Sequence, residues 1–420
     1  MISILQLAWA SLLNRRGAAL LTILSVALSV AMLLGVEKLR RDARAGFADT
    51  LSGTDLIVGA RSGSVQLLLY SVFRIGDATN NISWRSYQRL AREPEVSWTV
   101  PVSLGDSHRS YRVMGTTTAY FEHYKYAGKQ SLRFTQGGPF AQPFDIVIGA
   151  EVARKLNYTI GQSIVLAHGT GELELTQHQD KPFTVVGVLA PTGTPVDRTL
   201  HVSLAGIEAI HQGWEGGRPQ QDSSLGTRPV SPEAITPKNI TAFLVGVERK
   251  TQLFRLQRKI NTYSREPLLA IIPGVALQEL WDLMRVAEQT LQVISVFVVV
   301  TSLLGMLTAI LATLEARRRE MAVLRAVGAR LSHLAGLFIA EAGVLALIGA
   351  ALGLLALNAF SLLARPFVLD QFGVMLTVVW PSARDWWLLA AVIGSALLIS
   401  LWPAWRAFRL SLADGLTVRV

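Results

Sequence analysis

Few side chains in this sequence are spaced like catalytic groups or metal ligands, and the histidines are the clearest candidates. The chain contains no cysteine, which excludes disulfides, thiolate metal sites and a cysteine nucleophile. Four histidines, with Asp180 and Asp197, could gather around a metal ion. They are His168, His178, His201 and His211. None has the short spacing typical of metal ligands, so the pattern favours loop and surface histidines over a metal site.

The motifs of several common catalytic sites are absent from the sequence. No G-x-x-x-x-G-K-[ST] segment occurs, because the Gly128-Lys129 pair lacks a glycine at the required spacing before it. The G-x-S-x-G elbow and the H-E-x-x-H pair are missing as well. We therefore predict that this chain carries no catalytic residue and binds no cofactor of its own.

Four apolar runs dominate the elements that would position functional residues. They cover 17–36, 290–314, 334–364 and 386–405. Each reaches about 20 residues, the length that crosses a bilayer as a helix. Charged residues and no A-x-A cleavage site follow the first run, which favours a retained helix over a signal peptide. The sequence predicts an α-helical membrane protein with four transmembrane helices.

The distribution of charge predicts the orientation of these helices. The chain has 40 Lys and Arg against 30 Asp and Glu, a net charge of +10. The short segments 1–16, 315–333 and 404–420 carry +2, +3 and +2, and with four spans all three lie on one side. The positive-inside rule makes that side the cytoplasm, so both termini are expected there. The basic excess is thereby explained without a nucleic-acid partner.

The segment 37–289, between the first two spans, predicts a large mixed α/β extracytoplasmic domain. Alternating apolar residues predict strands at 54–58, 96–104, 110–115, 144–148, 183–189 and 240–247. Helical periodicity predicts helices at 83–92, 150–156, 205–211 and 252–263. Both ends of the segment continue the neighbouring spans as helices, which predicts a helical stalk. Residues 214–237 are rich in Gly, Pro, Ser and Gln and predict a flexible loop.

Three shorter segments complete the predicted organisation. Residues 1–16 predict an amphipathic helix on the cytoplasmic surface, with an upstream extension of the first span as the alternative. Residues 365–385 form a short outer hairpin between the last two spans, and 406–420 form a cytoplasmic tail.

An unusually apolar run near the start of the outer domain suggests two different roles. Its members are Leu67, Leu68, Leu69, Tyr70 and Phe73. They could line a substrate path or press on the outer leaflet near the stalk. The alternative is a buried strand or helix, which the composition favours slightly.

The third span contains two further features. Glu341 is the only acidic residue within a span, and such residues usually face a protein interior or a partner. The alternative is that Glu341 lies close enough to the cytoplasmic end to reach water. Gly349 and Gly353 have the spacing that allows close helix packing, although this spacing is frequent by chance in a span rich in Gly and Ala.

The loop between the second and third spans has the composition of a docking element. Three arginines, Arg317, Arg318 and Arg319, anchor the end of the span, and Glu320 follows them. Met321, Leu324 and Val327 share one face of a short helix and form an apolar wedge for a partner's groove. Arg325 lies beside this face, and Gly328 can end the helix. The alternative is a positive loop that serves topology alone.

This loop carries a resemblance to a known family. Residues 315–330 read EARRREMAVLRAVGAR and are similar to the E-x-R-R-R-E-[IM]-x-[IVL]-L-R-A-x-G-A segment of MacB-like, FtsX-type permeases of ABC transporters. Ile148-Gly149 with the run 183–188 resembles the outer-domain signature of that family. The tail from Pro403 resembles its terminus but departs at Leu412 and Gly415, where proline and alanine are usual.

The resemblance implies a mechanotransmission permease subunit in the bacterial inner membrane. The loop residues listed above would couple to a separate cytoplasmic P-loop ATPase, which holds the ATP and Mg²⁺. A second permease copy is implied, with a homodimer favoured, and a periplasmic adaptor or substrate-binding protein is a further partner. The implied function is export or release of a periplasmic or outer-leaflet substrate. The alternative is an FtsX-like regulatory complex that activates a periplasmic partner such as a cell-wall hydrolase.

Overall fold

The computed structural model describes residues 4–50, 52–168, 176–177, 181–211, 214–215, 218–219, 236–316, 331–372 and 380–409. These residues form two compact units. The helical unit comprises 1–42 and 285–420, and the mixed unit comprises 43–284. The predicted flexible loop 214–237 lies largely outside the described residues.

Helices occur in both units. They are α1 (Ile4–Asn14), α2 (Arg16–Asp49), α3 (Ser64–Leu68), α4 (Trp84–Leu90), α5 (Ala119–His123), α6 (Ala150–Leu156), α7 (Leu204–His211), α8 (Leu253–Asn261), α9 (Pro273–Ala316), α10 (Leu331–Phe372) and α11 (Ala383–Arg409). A π-helical turn, Leu69–Phe73, continues α3, and 3₁₀ turns cover Pro195–Arg198 and Lys250–Gln252.

The strands all belong to the mixed unit. They are β1 (Leu56–Ala60), β2 (Ile82–Ser83), β3 (Val96–His108), β4 (Tyr111–Thr116), β5 (Lys125–Tyr126), β6 (Gln130–Ser131), β7 (Phe134–Gly137), β8 (Asp145–Ile148), β9 (Ser163–Ile164), β10 (Ala167–His168), β11 (Thr176–Gln177), β12 (Phe183–Leu189), β13 (Thr199–Ser203), β14 (Trp214–Glu215), β15 (Arg218–Pro219), β16 (Asn239–Ile240), β17 (Ala242–Val247) and β18 (Leu268–Ile271).

Among the described residues, four helices are long and apolar enough to cross a membrane. The stretches are Arg16–Ala48, Pro273–Ala312, Ala335–Arg365 and Ala383–Arg406. The prediction of four transmembrane helices with a mixed α/β domain between the first two is therefore confirmed. One boundary differs from expectation, because α10 continues to Phe372 and occupies the first part of the predicted 365–385 hairpin. This extension includes Pro366, a residue type disfavoured in a helix interior, so local composition does not predict it.

Three of these helices, α2, α9 and α10, are much longer than a bilayer requires, and two of them, α2 and α9, continue into the mixed unit. The 34 residues of α2 span about 51 Å and the 44 residues of α9 about 66 Å at 1.5 Å per residue. The hydrocarbon core is only about 30 Å thick. Both helices pass the boundary between the units, at residues 42 and 285, without a break in helical structure.

The helical unit packs through two apolar clusters. One joins α9, α10 and α11 through residues such as Met306, Phe338 and Ala396. The other joins α2, α10 and α11 through Val30 and Val392. Since both α10 and α11 contribute to both clusters, these two helices link the packing of the unit.

A mixed sheet forms the frame of the other unit. Its main path follows the order β18-β1-β17-β3-β4-β13-β8-β12-β7. The β4–β13 and β8–β12 pairs are parallel, and the remaining neighbours on this path are antiparallel. Strand β3 is 13 residues long and carries the sheet from one half of the unit to the other, because it pairs with both β17 and β4.

Helices cover the sheet and close separate cores. In the first half, α4 and α8 pack on β1, β17 and β18 through residues such as Tyr87, Leu256 and Ile260. In the second half, α6 and α7 pack on β8, β12 and β13 through Val152 and Ile210. The mixed unit thus has the buried apolar interior that a domain of this size needs to fold without cross-links.

Candidate coupling site in the helical unit

The predicted docking loop lies outside the described residues. It comprises Arg317, Arg318, Arg319, Glu320, Met321, Leu324, Arg325, Val327 and Gly328. Helix α9 ends at Ala316 and α10 begins at Leu331, so the structure describes the two helices that this loop connects. The role of the loop residues therefore stays a prediction.

A small cleft lies near the loop ends of these helices, within the helical unit. Its volume is about 40 Å³, and its lining comes from α1, the start of α2, α9 and α10. Four polar residues contribute, namely Ser11, Arg15, Thr22 and Glu341. Glu341 is only 5% exposed, and both it and Arg15 have interaction partners in the described structure. Glu341 is therefore buried at a mainly apolar cleft to which these few polar side chains contribute.

The two glycines of the third span lie against α2. A Cβ atom built on Gly349 would be 2.7 Å from both Cβ and Cγ1 of Val26. At Gly353 it would be 2.6 Å from the carbonyl oxygen of Ala27. These distances are too short for any side chain, so α2 and α10 approach as closely as they do because both positions are glycine.

Serine hydroxyls join α2 to α9, an arrangement that the sequence interpretation missed. Ser25 Oγ donates to Ser302 Oγ at 3.0 Å, and Ser29 lies with its Oγ 3.4 Å from the carbonyl oxygen of Val298. Ser29 and Ser302 are buried. The four-residue spacing of Ser25 and Ser29 in the first span was a sequence signal for this contact, because small polar side chains link helices within a membrane.

At the opposite end of the same helices, an ion-pair network ties α2 to α9 and α11. Glu37 Oε1 lies 2.8 Å from Arg40 Nη2 and 3.3 Å from Arg384 Nε. Arg40 Nη1 also lies 3.9 Å from Glu288 Oε2 on α9. The carboxylate side chain of Glu37 is only 5% exposed. Two cations therefore compensate one buried acid, and each comes from a different helix.

A second ion pair extends this network. Arg41 Nη2 lies 2.9 Å from Asp385 Oδ2, and Arg41 also contacts the hydroxyl of Ser382. The backbone N–H and hydroxyl of Ser382 donate to the same carboxylate at 2.8 and 2.9 Å, at the start of α11. No local pattern predicts this pair, since its partners lie more than 340 positions apart in the sequence.

The apolar run of the mixed unit is part of a core, which corrects the expectation of a substrate path. Leu67 and Leu68 are fully buried, Tyr70 and Phe73 nearly so, and Leu69 packs against the same cluster. The run forms α3 and the π-helical turn after it. With these side chains covered by the sheet, they present no exposed path, which agrees with the alternative of a buried helix.

Within the part of the chain that the structure describes, the predicted histidines do not come together. Among the described residues, no group of three His, Asp or Glu side chains is placed to hold a metal ion. His201 is fully buried among aromatic rings, whereas His211 lies with Nε2 3.8 Å from Asp106 Oδ1. The side chain of His168 and all of His178 fall outside the described residues.

The fold is that of a permease-type membrane protein, with four spans and one large outer domain. Two family models match it: the MacB-like periplasmic core domain over residues 19–249, and the FtsX-like permease C-terminal domain over residues 292–412. The chain therefore belongs to the MacB-like, FtsX-type permeases of ABC transporters. As in that family, it is a multi-pass membrane permease whose insert is a periplasmic core domain.

Curated relatives are longer than this chain. The macrolide export ATP-binding/permease protein MacB of Nitrobacter winogradskyi is 23% identical over 422 residues, covering 94% of this chain and 57% of the relative. MacB 1 of Yersinia pestis is 24% identical over 343 residues, covering 78% of this chain and 46% of the relative. The chain thus spans about half the length of the curated relatives it matches.

Two solved structures are similar in part. The periplasmic region of MacB from Actinobacillus actinomycetemcomitans covers 55% of this chain and 94% of its own, with 10% identity and a TM-score of 0.35. The extracellular domain of the noncanonic ABC-type transporter YknZ from Gram-positive bacteria covers 52% of this chain and 99% of its own, with 13% identity and a TM-score of 0.30.

Proposed function

We propose that this chain transmits ATP-driven motion from a cytoplasmic ATPase to its periplasmic domain, and that this motion exports or releases a periplasmic or outer-leaflet substrate. The sequence has no P-loop, so ATP and Mg²⁺ would bind to a separate partner subunit. A second permease copy, with a homodimer favoured, and a periplasmic adaptor or substrate-binding protein complete the proposed assembly. Both termini would lie in the cytoplasm of a bacterial inner-membrane protein, following the positive-inside rule.

The observation that carries this proposal is the continuity of α2 and α9. Each helix runs without a break from its membrane-spanning stretch into the residues of the mixed unit. A continuous helix transmits displacement along its axis, because every turn is held by backbone hydrogen bonds. Within the described residues the spans offer few charged side chains for a conduction path, and Glu341 is buried. This arrangement supports transmission of motion better than passage of a solute through the spans.

The contacts of the helical unit indicate how force would enter. The docking loop connects α9 to α10, so a push on its apolar wedge would act on the ends of both helices. The Gly349 and Gly353 contacts connect α10 to α2, and the Ser25–Ser302 bond connects α2 to α9. At the other end, the ion pairs of Glu37 and Arg41 hold α2 to α11. Motion of α10 would therefore reach both stalk helices.

The docking loop provides the direct test. Leu324→Asp places a charge on the predicted wedge, and Ala322→Asp would place the same charge on the opposite face of the predicted helix. The permease is purified from native membranes, and the ATPase activity that accompanies it is measured. We expect Leu324→Asp to lose at least tenfold of this activity and Ala322→Asp to retain it. Equal activity in both variants would refute the assignment of the loop.

The same preparation tests export against regulation. A periplasmic adaptor or an outer-membrane channel that purifies with the active complex supports export. A cell-wall hydrolase bound to the periplasmic domain, whose activity depends on ATP and on Leu324, would instead support the regulatory alternative.

A further inference from the structure

One surface of the mixed unit carries an excess of exposed cations. It is formed by α4 and α8, which pack on the same core, together with the residues that flank them. The segments 83–95 and 248–266 contain nine Lys and Arg against four Glu. The whole unit, residues 43–284, contains 24 Lys and Arg against 21 Asp and Glu, so the rest of it is slightly acidic. We call the surface of these two segments the basic face.

Side-chain contacts hold the two segments of the basic face together. Arg89 Nη1 on α4 donates to the hydroxyl of Tyr263, just after α8, at 3.0 Å. In the other direction, Lys259 on α8 contacts the carboxylate of Glu93, just after α4. The charges of both helices therefore belong to one continuous surface.

Most of the acids of the basic face are withdrawn from solvent or already bound. The four are Glu93, Glu95, Glu248 and Glu266. The Glu95 side chain is only 2% exposed, and its Oε1 lies 3.0 Å from Arg255 Nη2. Glu266 accepts from the backbone N–H and the hydroxyl of Ser83, both at 2.9 Å. Of the four, Glu248 is the exposed one, so the acids compensate few of the outward cations.

Five exposed arginines of the basic face have no acidic partner within the described residues. They are Arg85, Arg92, Arg249, Arg258 and Arg265. Mutual repulsion among like charges opposes folding, and an anionic partner would relieve it. The guanidinium forms paired hydrogen bonds to a carboxylate, so these side chains suit Asp and Glu in particular.

A large aromatic side chain is exposed on the same surface. Helix α8 turns Leu256 and Ile260 into the core, whereas Phe254 is 70% exposed and lies one turn before Arg258. Phenylalanine and arginine are enriched at protein–protein interfaces, and lysine is depleted there. Seven of the nine cations are arginine. This composition favours a protein partner over an anionic lipid surface, which lysine attracts as well as arginine does.

We infer that the basic face is the docking surface for an acidic segment of a periplasmic protein. Its arginines pair with the Asp and Glu side chains of that segment, and Phe254 is buried against apolar residues of the partner. A second copy of this chain does not fit, because a symmetric dimer through this surface would set like charges against each other. The inference rests on the proposed function only for the presence of a periplasmic partner, and it adds the surface that the partner binds.

Position 254 provides the test in the native membrane. The photoreactive residue p-benzoyl-L-phenylalanine replaces Phe254 in the full chain, irradiation cross-links it to the neighbouring molecule, and mass spectrometry identifies the cross-linked segment. The control position is Ile160, which is 42% exposed and lies in the other half of the unit. We expect Phe254 to give a cross-link to one periplasmic protein, at a segment rich in Asp and Glu, and Ile160 to give none to that protein.

Two pairs of charge reversals test the role of the arginines. Arg92→Glu with Arg258→Glu alters the basic face, and Lys129→Glu with Arg133→Glu makes the same change in charge on exposed residues outside it. The first pair should lower the cross-link yield at least fivefold and the second should leave it unchanged, because like charges across an interface repel. If the first doubly reversed chain does not reach the membrane, Arg92→Gln with Arg258→Gln decides, with an expected loss of at least threefold.

Several outcomes would overturn the inference. They are the absence of a cross-link from position 254, a cross-link to lipid or to a second copy of the chain, a cross-link to a segment without acidic residues, and an equal loss with both pairs of charge reversals. Leu324→Asp should leave the cross-link unchanged, since docking needs no ATPase coupling. Failure of the proposed coupling and failure of the docking surface are therefore seen in different measurements.

Discussion

The contact between α2 and α10 is so close that one methyl group should disturb it. A Cβ atom at Gly353 would lie 2.6 Å from the carbonyl oxygen of Ala27 and 2.9 Å from Val30 Cβ. Unstrained contacts between carbon and oxygen begin at about 3.3 Å, so relieving the 2.6 Å contact would move the two helices apart by about 0.7 Å. Overpacking of this kind costs about 1–3 kcal/mol. We therefore expect Gly353→Ala to lower the free energy of unfolding of the helical unit by that amount.

The assay is equilibrium unfolding of the detergent-solubilised chain by SDS. Gly305→Ala and Gly394→Ala are matched controls, because each is a glycine of a spanning helix with nothing within 4 Å of the added methyl. They should be neutral or stabilising by up to about 1 kcal/mol, since alanine favours helix more than glycine does.

A second substitution tests whether the methyl group added at position 353 is obstructed by the backbone of Ala27 or by the side chain of Val30. Val30→Ala in the Gly353→Ala background should restore little stability, because the obstructing Ala27 oxygen belongs to the backbone. The reasoning is refuted if Gly353→Ala unfolds like the two control variants. It is also refuted if Val30→Ala restores full stability, since the carbonyl contact would then not limit the approach of the helices.

Two further predictions concern charged groups. Arg41→Leu should lower the free energy of unfolding in SDS by about 1 kcal/mol, less than for a fully buried pair because the arginine is 38% exposed. The same change should cost little in an Asp385→Asn background. An equal loss in both backgrounds would contradict the ion pair. Burial lowers the pKa of His201 to about 3 in the folded state, so the folded ring stays neutral, whereas the unfolded ring binds a proton below about pH 6.5. The free energy of unfolding, measured by thermal unfolding, should therefore fall by about 2 kcal/mol from pH 7 to pH 5. His201→Leu should flatten this dependence, and an unchanged slope would show that the ring is not buried in its neutral form.

Local patterns predicted much of the mixed unit. The periodicity at 150–156 and the alternation at 183–189 coincide with α6 and β12 at both ends. The predicted strand 240–247 is instead two strands, β16 and β17, separated at Thr241. The hydroxyl of Thr241 accepts from the backbone N–H of Leu104 at 2.9 Å, a contact across 137 residues that no local pattern contains.

The candidate site was less accessible to sequence reasoning than the fold. The glycine spacing at 349 and 353 was visible, but spacing does not tell which helix fills the groove. The run 67–73 could be read as a path or as core, because apolar composition is the same in both.

By itself the sequence determined that four helices cross a membrane, that a mixed α/β domain lies between the first two, and that the basic excess is concentrated in short loops. These properties follow from length, apolar runs and charge, which act within about 20 consecutive residues. Only the tertiary structure decided which helices meet and which charges pair. Glu37 meets Arg384, and Gly353 meets Ala27, because packing brings together residues more than 320 positions apart. The energy of such contacts depends on distance and burial, which local patterns do not specify.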